Sequence, residues 1–107
     1  MRPWFPKKMA RLDEIAALES GWIDGNSGDA PTPVAIDGAR RLVALIAMLT
    51  EVAPTLQVQI VPTADGGVSL EWHEGGWDAE IDIERDGKLW IWAHHGDRGV
   101  EFSYPPE

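Results

Sequence analysis

Three glycine-bearing turns divide the second half of this chain, and their spacing dictates how the segments between them must pair. From Leu56 onward apolar residues recur every second position, the period of a strand; before it they recur at helical spacing. Side chains alternate along a strand, so a turn of known length determines which residues stand opposite one another. Thr63-Ala64-Asp65-Gly66-Gly67 fits a three-residue loop, a type I turn followed by glycine in the left-handed region. It pairs Ile60 with Leu70 and Gln59 with Glu71. Gly75-Gly76 fits a two-residue loop and pairs Leu70 with Ile81, Trp72 with Ala79, Glu71 with Glu80 and His73 with Asp78. Both turns set apolar residues against apolar residues.

The third turn admits two registers. Arg85-Asp86-Gly87 as a three-residue loop pairs Ile81 with Ile91, Asp82 with Trp90 and Glu80 with Trp92. Asp86-Gly87 as a two-residue loop slips the pairing by one and turns Trp90 and Trp92 toward the core. The longer loop is preferred, because its residue order suits a type I turn with a glycine bulge and it sets Glu84 beside Lys88. Strands are expected over 56–62, 67–74, 77–84 and 88–94, with a fifth over 99–104.

Two helices precede them. Met9, Leu12, Ile15 and Ala16 define a stripe over residues 8–19, ended by Ser20-Gly21. Thr32 as N-cap and Pro33 at the first helical position open a second helix over 33–51, and Pro54 lies beyond its end. Its apolar residues cover more than one stripe, so it is expected to be mostly buried. Gly38 inside it points to close packing. Residues 21–33 read as a loop pinned to the core by Trp22 and Ile23. At 107 residues the chain fits a single domain over 1–107. The expected architecture is α+β, with two N-terminal helices packed on one face of a four- to five-stranded antiparallel meander. Those helices are expected to cover the whole apolar face, from Val58 and Ile60 through Leu70, Ile81 and Trp77 to Val100 and Phe102.

The preferred register gives the opposite face an unusual composition. It gathers the carboxylates Glu71, Asp78, Glu80, Asp82, Glu84 and Glu101 around Trp90 and Trp92, with Lys88 the one basic residue at its end. Glu71 opposite Glu80 is a like-charge pair, which destabilises a sheet. Aromatic residues are favoured interface anchors, and an acidic surround steers a basic partner inward. The plainer reading is a solvated face whose indoles cover neighbouring strands.

Charge and composition exclude several functions. Nine Lys plus Arg against 18 Asp plus Glu leave a net charge of −9, which argues against direct binding to nucleic acid or anionic lipid. Stacking of bases on Trp90 and Trp92 would need basic neighbours, and the face has the opposite sign. The absence of Cys excludes disulfides, thiolate zinc sites and a cysteine nucleophile. No P-loop or serine elbow occurs, and no cofactor is implied. No apolar run is long enough for a membrane span, and the first residues lack the apolar stretch of a secretory signal, so a cytoplasmic location is expected.

Two candidate metal sites carry less weight. His73, Asp78 and His94 fall side by side on three adjacent strands, a donor set that suits a divalent metal, but the outer two strands lie roughly 10 Å apart. Asp24-Gly25-Asn26-Ser27-Gly28-Asp29 is similar to the start of a calcium loop, yet Gly28 stands where an acid or amide is needed and Ala35 where a glutamate is needed. It reads as a turn-rich loop.

Gly21-Trp22 with Asp24-Gly25, Pro31-Thr32-Pro33, and Asp65-Gly66-Gly67-Val68 leading into Leu70-Glu71-Trp72 resemble segments of small acidic bacterial and phage α+β proteins of unknown function. The resemblance implies the company of antitoxins, immunity proteins and phage inhibitors, and it carries no catalytic residue.

The leading expectation is a non-catalytic regulator or inhibitor that masks a basic protein, such as a toxin or a nucleic-acid-handling enzyme. Trp90 and Trp92 would anchor it, with Glu71, Asp78, Glu80, Asp82 and Glu84 meeting Lys and Arg. A phage inhibitor of the anti-CRISPR kind would use the carboxylates to imitate phosphates. The alternatives are a structural module that forms a homodimer through the Trp-bearing face, and a metal-dependent enzyme built on His73, Asp78 and His94.

Overall fold

The computed structural model describes residues 4–49 and 58–106. Two helices, α1 (Trp4–Ala16) and α2 (Pro33–Leu49), precede five strands: β1 (Gln59–Pro62), β2 (Val68–Glu74), β3 (Trp77–Ile83), β4 (Leu89–His95) and β5 (Arg98–Tyr104). The strands form one antiparallel sheet in the order β1-β2-β3-β4-β5. The fold is α+β, helices first and a five-stranded meander after. Residues 50–57, which include the expected end of the second helix and start of the first strand, lie outside the described residues.

The turns set the register as expected. Ile60 pairs with Leu70, Leu70 with Ile81, and Ile81 with Ile91. In the third turn the Glu84 amide donates to the Lys88 carbonyl at 2.8 Å and the Gly87 amide to the Glu84 carbonyl at 2.8 Å, which closes the three-residue loop. Gly66 and Gly87 both sit at φ +91°, a region closed to most side chains, which is why each of these loops carries glycine at that position.

α2 opens as its capping residue dictates. The Thr32 hydroxyl accepts the Ala35 amide at 3.1 Å and donates to the Arg85 carbonyl at 2.6 Å, tying the helix start to the β3–β4 turn. Ala35, Ile36, Ala39 and Val43 are buried beneath it. Gly38 lets the helix approach the sheet, since a Cβ there would lie 3.1 Å from the Ile83 Cγ2. α1 buries Leu12 and Ile15 and is joined to α2 by an Arg40–Asp13 ion pair at 2.8 Å. Its Arg11 donates to the Ile60 carbonyl at 3.1 Å, satisfying part of the β1 sheet edge.

Four expectations need correction. α1 spans 4–16 rather than 8–19. Trp4 and Phe5 pack against the core and draw the first turn upstream; Pro6 is tolerated there because its missing amide would have no helical partner. At the other end the Leu18 amide bonds to the Ile15 carbonyl at 3.1 Å, a tighter turn that ends the helix early and brings Leu18 back to the core. Ile23 does not pin the following loop: it is exposed, and the loop closes on itself through the Trp22 indole, which donates to the Asp29 carbonyl at 2.9 Å. α2 is less buried than its composition suggests: Val34, Leu45 and Met48 are exposed along one flank.

The fourth correction concerns the sheet. α1 packs over β1, and α2 over β2 and β3. Val58, Ile60, Val68, Leu70 and Ile83 are buried there, with Trp72, Ile81 and Leu89 partly so. The helical layer stops short of β5. Trp77, Val100 and Phe102, expected in the core, are exposed together with Tyr104.

Candidate protein-docking site on the acidic sheet face

The face turned away from the helices is built by strand parity. Asp82 stands opposite Trp90 and Glu80 opposite Trp92 across β3 and β4, while Ser69 stands opposite Asp82 and Glu71 opposite Glu80 across β2 and β3. Trp92 is in turn opposite Glu101 on β5. Two transverse rows result, each with a carboxylate beside an indole. Trp90 is 36% exposed. Trp92 is half-buried, its ring edge-on to His94 at 5.6 Å between centroids. Both indoles lie on the acidic side, beyond the reach of the helices.

Asp82 occupies the middle of this face in partial burial. Its pKa is pushed up from 3.8 to about 6, first by burial, then by the hydrogen-bonding and charge of Glu80 and the charge of Asp65, against an opposing contribution from the Ser69 hydroxyl. Ser69 is 4% exposed, and its hydroxyl makes no full hydrogen bond among the described residues. Near neutral pH Asp82 therefore carries a charge that its surroundings disfavour. Asp65 joins the site from the β1–β2 turn, where it accepts the Thr63 hydroxyl at 2.6 Å. Parity along the strands says nothing about a turn residue. The one available signal was the Pro62–Val68 pairing that brings the turn to this end of the sheet.

His73 and Asp78 form the opposite end. His73 Nδ1 lies 2.7 Å from Asp78 Oδ1, and His73 Nε2 lies 3.8 Å from Glu71 Oε1. The hydrogen bond to Asp78, reinforced by the charges of Asp78 and Glu71, raises the His73 pKa above its usual 6.5. Glu84 is exposed beyond Asp82, its amide bonded to the Lys88 carbonyl at the turn.

The three proposed metal ligands are not brought together. His73 and Asp78 meet, but His94, though paired in register with Asp78, lies over Gly99 and against Trp92. Among the described residues no group of three or more His, Asp or Glu side chains converges closely enough to hold a metal ion. The Asp24 loop uses its carboxylate internally: Oδ1 accepts the Asn26 and Ser27 amides at 2.8 and 2.7 Å, which lowers the Asp24 pKa. No helix among the described residues is long and apolar enough to cross a membrane.

No protein-family model matches this chain, and neither a curated protein nor a solved structure is significantly similar to it. The chemistry of the site therefore has to be argued from its own residues.

Proposed function

We infer that this chain is a non-catalytic protein-binding regulator or inhibitor that masks a basic surface on another protein. The observation that carries the reading is the concentration of Glu71, Asp78, Glu80 and Asp82 around Trp90 and Trp92, with Asp82 charged against the preference of its own surroundings. Like-charge neighbours weaken a sheet. They become favourable when lysine and arginine side chains enter between them, and the indoles then offer flat apolar area and cation–π contacts to the same groups. Asp82–Trp90 and Glu80–Trp92 each present a carboxylate next to an aromatic ring, a pairing suited to a guanidinium. If the partner handles nucleic acid, the carboxylate rows stand in for phosphates and block its substrate channel. A toxin neutralised by an antitoxin or immunity protein, and an enzyme blocked by a phage inhibitor of the anti-CRISPR kind, would be recognised by the same physics.

The test is affinity capture from the native host, using the wild-type chain and a Glu80→Gln/Asp82→Asn bait, followed by elution in rising salt and mass spectrometry. The expected result is one or a few basic proteins held by the wild type, released by salt and absent from the variant. A partner that is acidic, or that both baits retain equally, would overturn the proposal.

A further inference from the structure

The sheet has a second uncovered surface, on the helix side of β4 and β5, and its chemistry is the reverse of the acidic face. Trp77, Val100, Phe102 and Tyr104 point to this side and are 53, 57, 52 and 66% exposed. Parity places Ile91 and Ala93 beside them. Beyond them, the charged or titratable groups that β3 to β5 turn to this side are His95 and Arg98 at the hairpin end; these strands turn no carboxylate toward it. The other side of the same three strands carries Asp78, Glu80, Asp82 and Glu101.

α2 borders this surface. Val34, Gly38, Arg41, Leu45 and Met48 fall on one helical stripe, Arg41 being paired with Asp37 at 2.9 Å on its outer edge, and Val34 and Gly38 locate it. A Cβ on Gly87, in the β3–β4 turn, would lie 2.8 Å from Val34 Cγ1, and Gly38 lies over Ile83. The exposed flank of α2 is thus the one turned toward the uncovered strands. α2 and the apolar strand face together form a step, one layer high.

We propose that a second copy of this chain fills that step, making a two-fold dimer in which each β4–β5 face packs on the other. Three observations favour a copy over another occupant. The first is charge. Two chains of net charge −9 repel over most of their surfaces, and this is the strand face on which they can meet without setting acid against acid. The second is geometry. Packed sheets lie about 10 Å apart, and a helix with its side chains is about 10–12 Å across. A partner sheet therefore fits in the layer α2 already occupies, beside α2 rather than on top of it. The third is area. At about 150–250 Å² of surface per aromatic side chain, the exposed fractions of Trp77, Phe102 and Tyr104 offer roughly 250–450 Å². Val100 and the flank of α2 bring the apolar surface to about 600–800 Å² per copy, close to the roughly 800 Å² that each partner contributes to a standard specific interface. The dimer leaves both acidic faces outward, so it is compatible with the docking surface above and does not depend on it.

Light scattering coupled to size exclusion decides the matter at protomer concentrations from micromolar to about millimolar. The wild type is expected at 23.6 kDa, twice the 11.8 kDa protomer, with the dimer unchanged or strengthened by added salt. Phe102→Glu is expected at the protomer mass with an unchanged far-ultraviolet circular dichroism spectrum. Should Phe102→Glu fail to fold, Val100→Lys at a more exposed position carries the same expectation. Trp90→Ala/Trp92→Ala is expected to stay dimeric. A wild type that remains a monomer throughout overturns the proposal and points to a helix or strand from another protein as the occupant. A dimer that survives both patch substitutions, or is lost only with Trp90 and Trp92, overturns it as well.

Discussion

Replacing Asp82 with asparagine should make the protein more stable, and the structure supplies both magnitude and sign. The Asp82 pKa is about 6 in the folded chain against an ordinary 3.8, with burial the largest cause. At 1.36 kcal/mol per pKa unit that difference is about 3 kcal/mol. The side chain is only partly removed from water, and solvent screening reduces the effect to about 1 kcal/mol. The folded protein holds this proton more tightly than the unfolded chain does. Between pH 3.8 and about 6 the native state therefore binds the extra proton, and stability falls as pH rises through that window. The full penalty is present above it. Asp82→Asn, isosteric and uncharged, removes the penalty. Urea denaturation followed by tryptophan fluorescence at pH 4, 6 and 8 should find the variant level with wild type at pH 4 and about 1 kcal/mol more stable at pH 8. A variant less stable than wild type at pH 8, or an advantage that grows toward pH 4, would refute the reasoning.

Other outcomes follow from the same geometry. Leu70→Ala, at a fully buried position, should lose about 3–5 kcal/mol by chemical denaturation, and Ile81→Ala, only partly buried, about half as much. Thr32→Ala removes both the helix cap and the tie to the Arg85 carbonyl, and should cost about 1–2 kcal/mol in the same assay. Partner affinity, read by titration calorimetry, should weaken as pH falls from 7.5 to 5.5. Over that range Asp82 gains a proton and loses its negative charge, while His73, with its pKa raised by Asp78, becomes more fully cationic. An affinity that strengthens on acidification would contradict the charge assignment.

The register was legible because it follows from turn length. Gly66 and Gly75-Gly76 set the first two turns, and at the third, where two lengths fit, the order Arg85-Asp86-Gly87 and the neighbours Glu84 and Lys88 favoured the loop that carries Trp90 and Trp92 outward, with Asp82 and Glu80 beside them. The reach of the helical layer was not legible. Leu70 and Phe102 follow the same alternation, and nothing in that pattern says that α2 stops over β3. The exposure of Val34, Leu45 and Met48 has the same origin: an apolar flank looks alike in sequence whether or not a neighbour lies against it. The start of α1 depended on Trp4 and Phe5 finding core partners, which is a tertiary event. Asp65 was missed because a turn residue has no fixed face. His94 was placed in the correct row, but its ring turns toward Trp92 and Gly99, and strand spacing does not determine that rotamer.

The central claim is that the indoles at 90 and 92 serve recognition more than folding. Trp90 is 36% exposed and Trp92 half-buried, so Trp90→Ala/Trp92→Ala should cost about 2 kcal/mol, roughly half of the 3–6 kcal/mol that fully burying two such side chains would contribute. The most direct measurement pairs thermal unfolding of this double variant with its affinity for the captured partner. The account predicts a cooperative transition lowered by about 10 °C and an affinity reduced at least a hundredfold. A variant that unfolds outright, or one that binds as tightly as wild type, would contradict it.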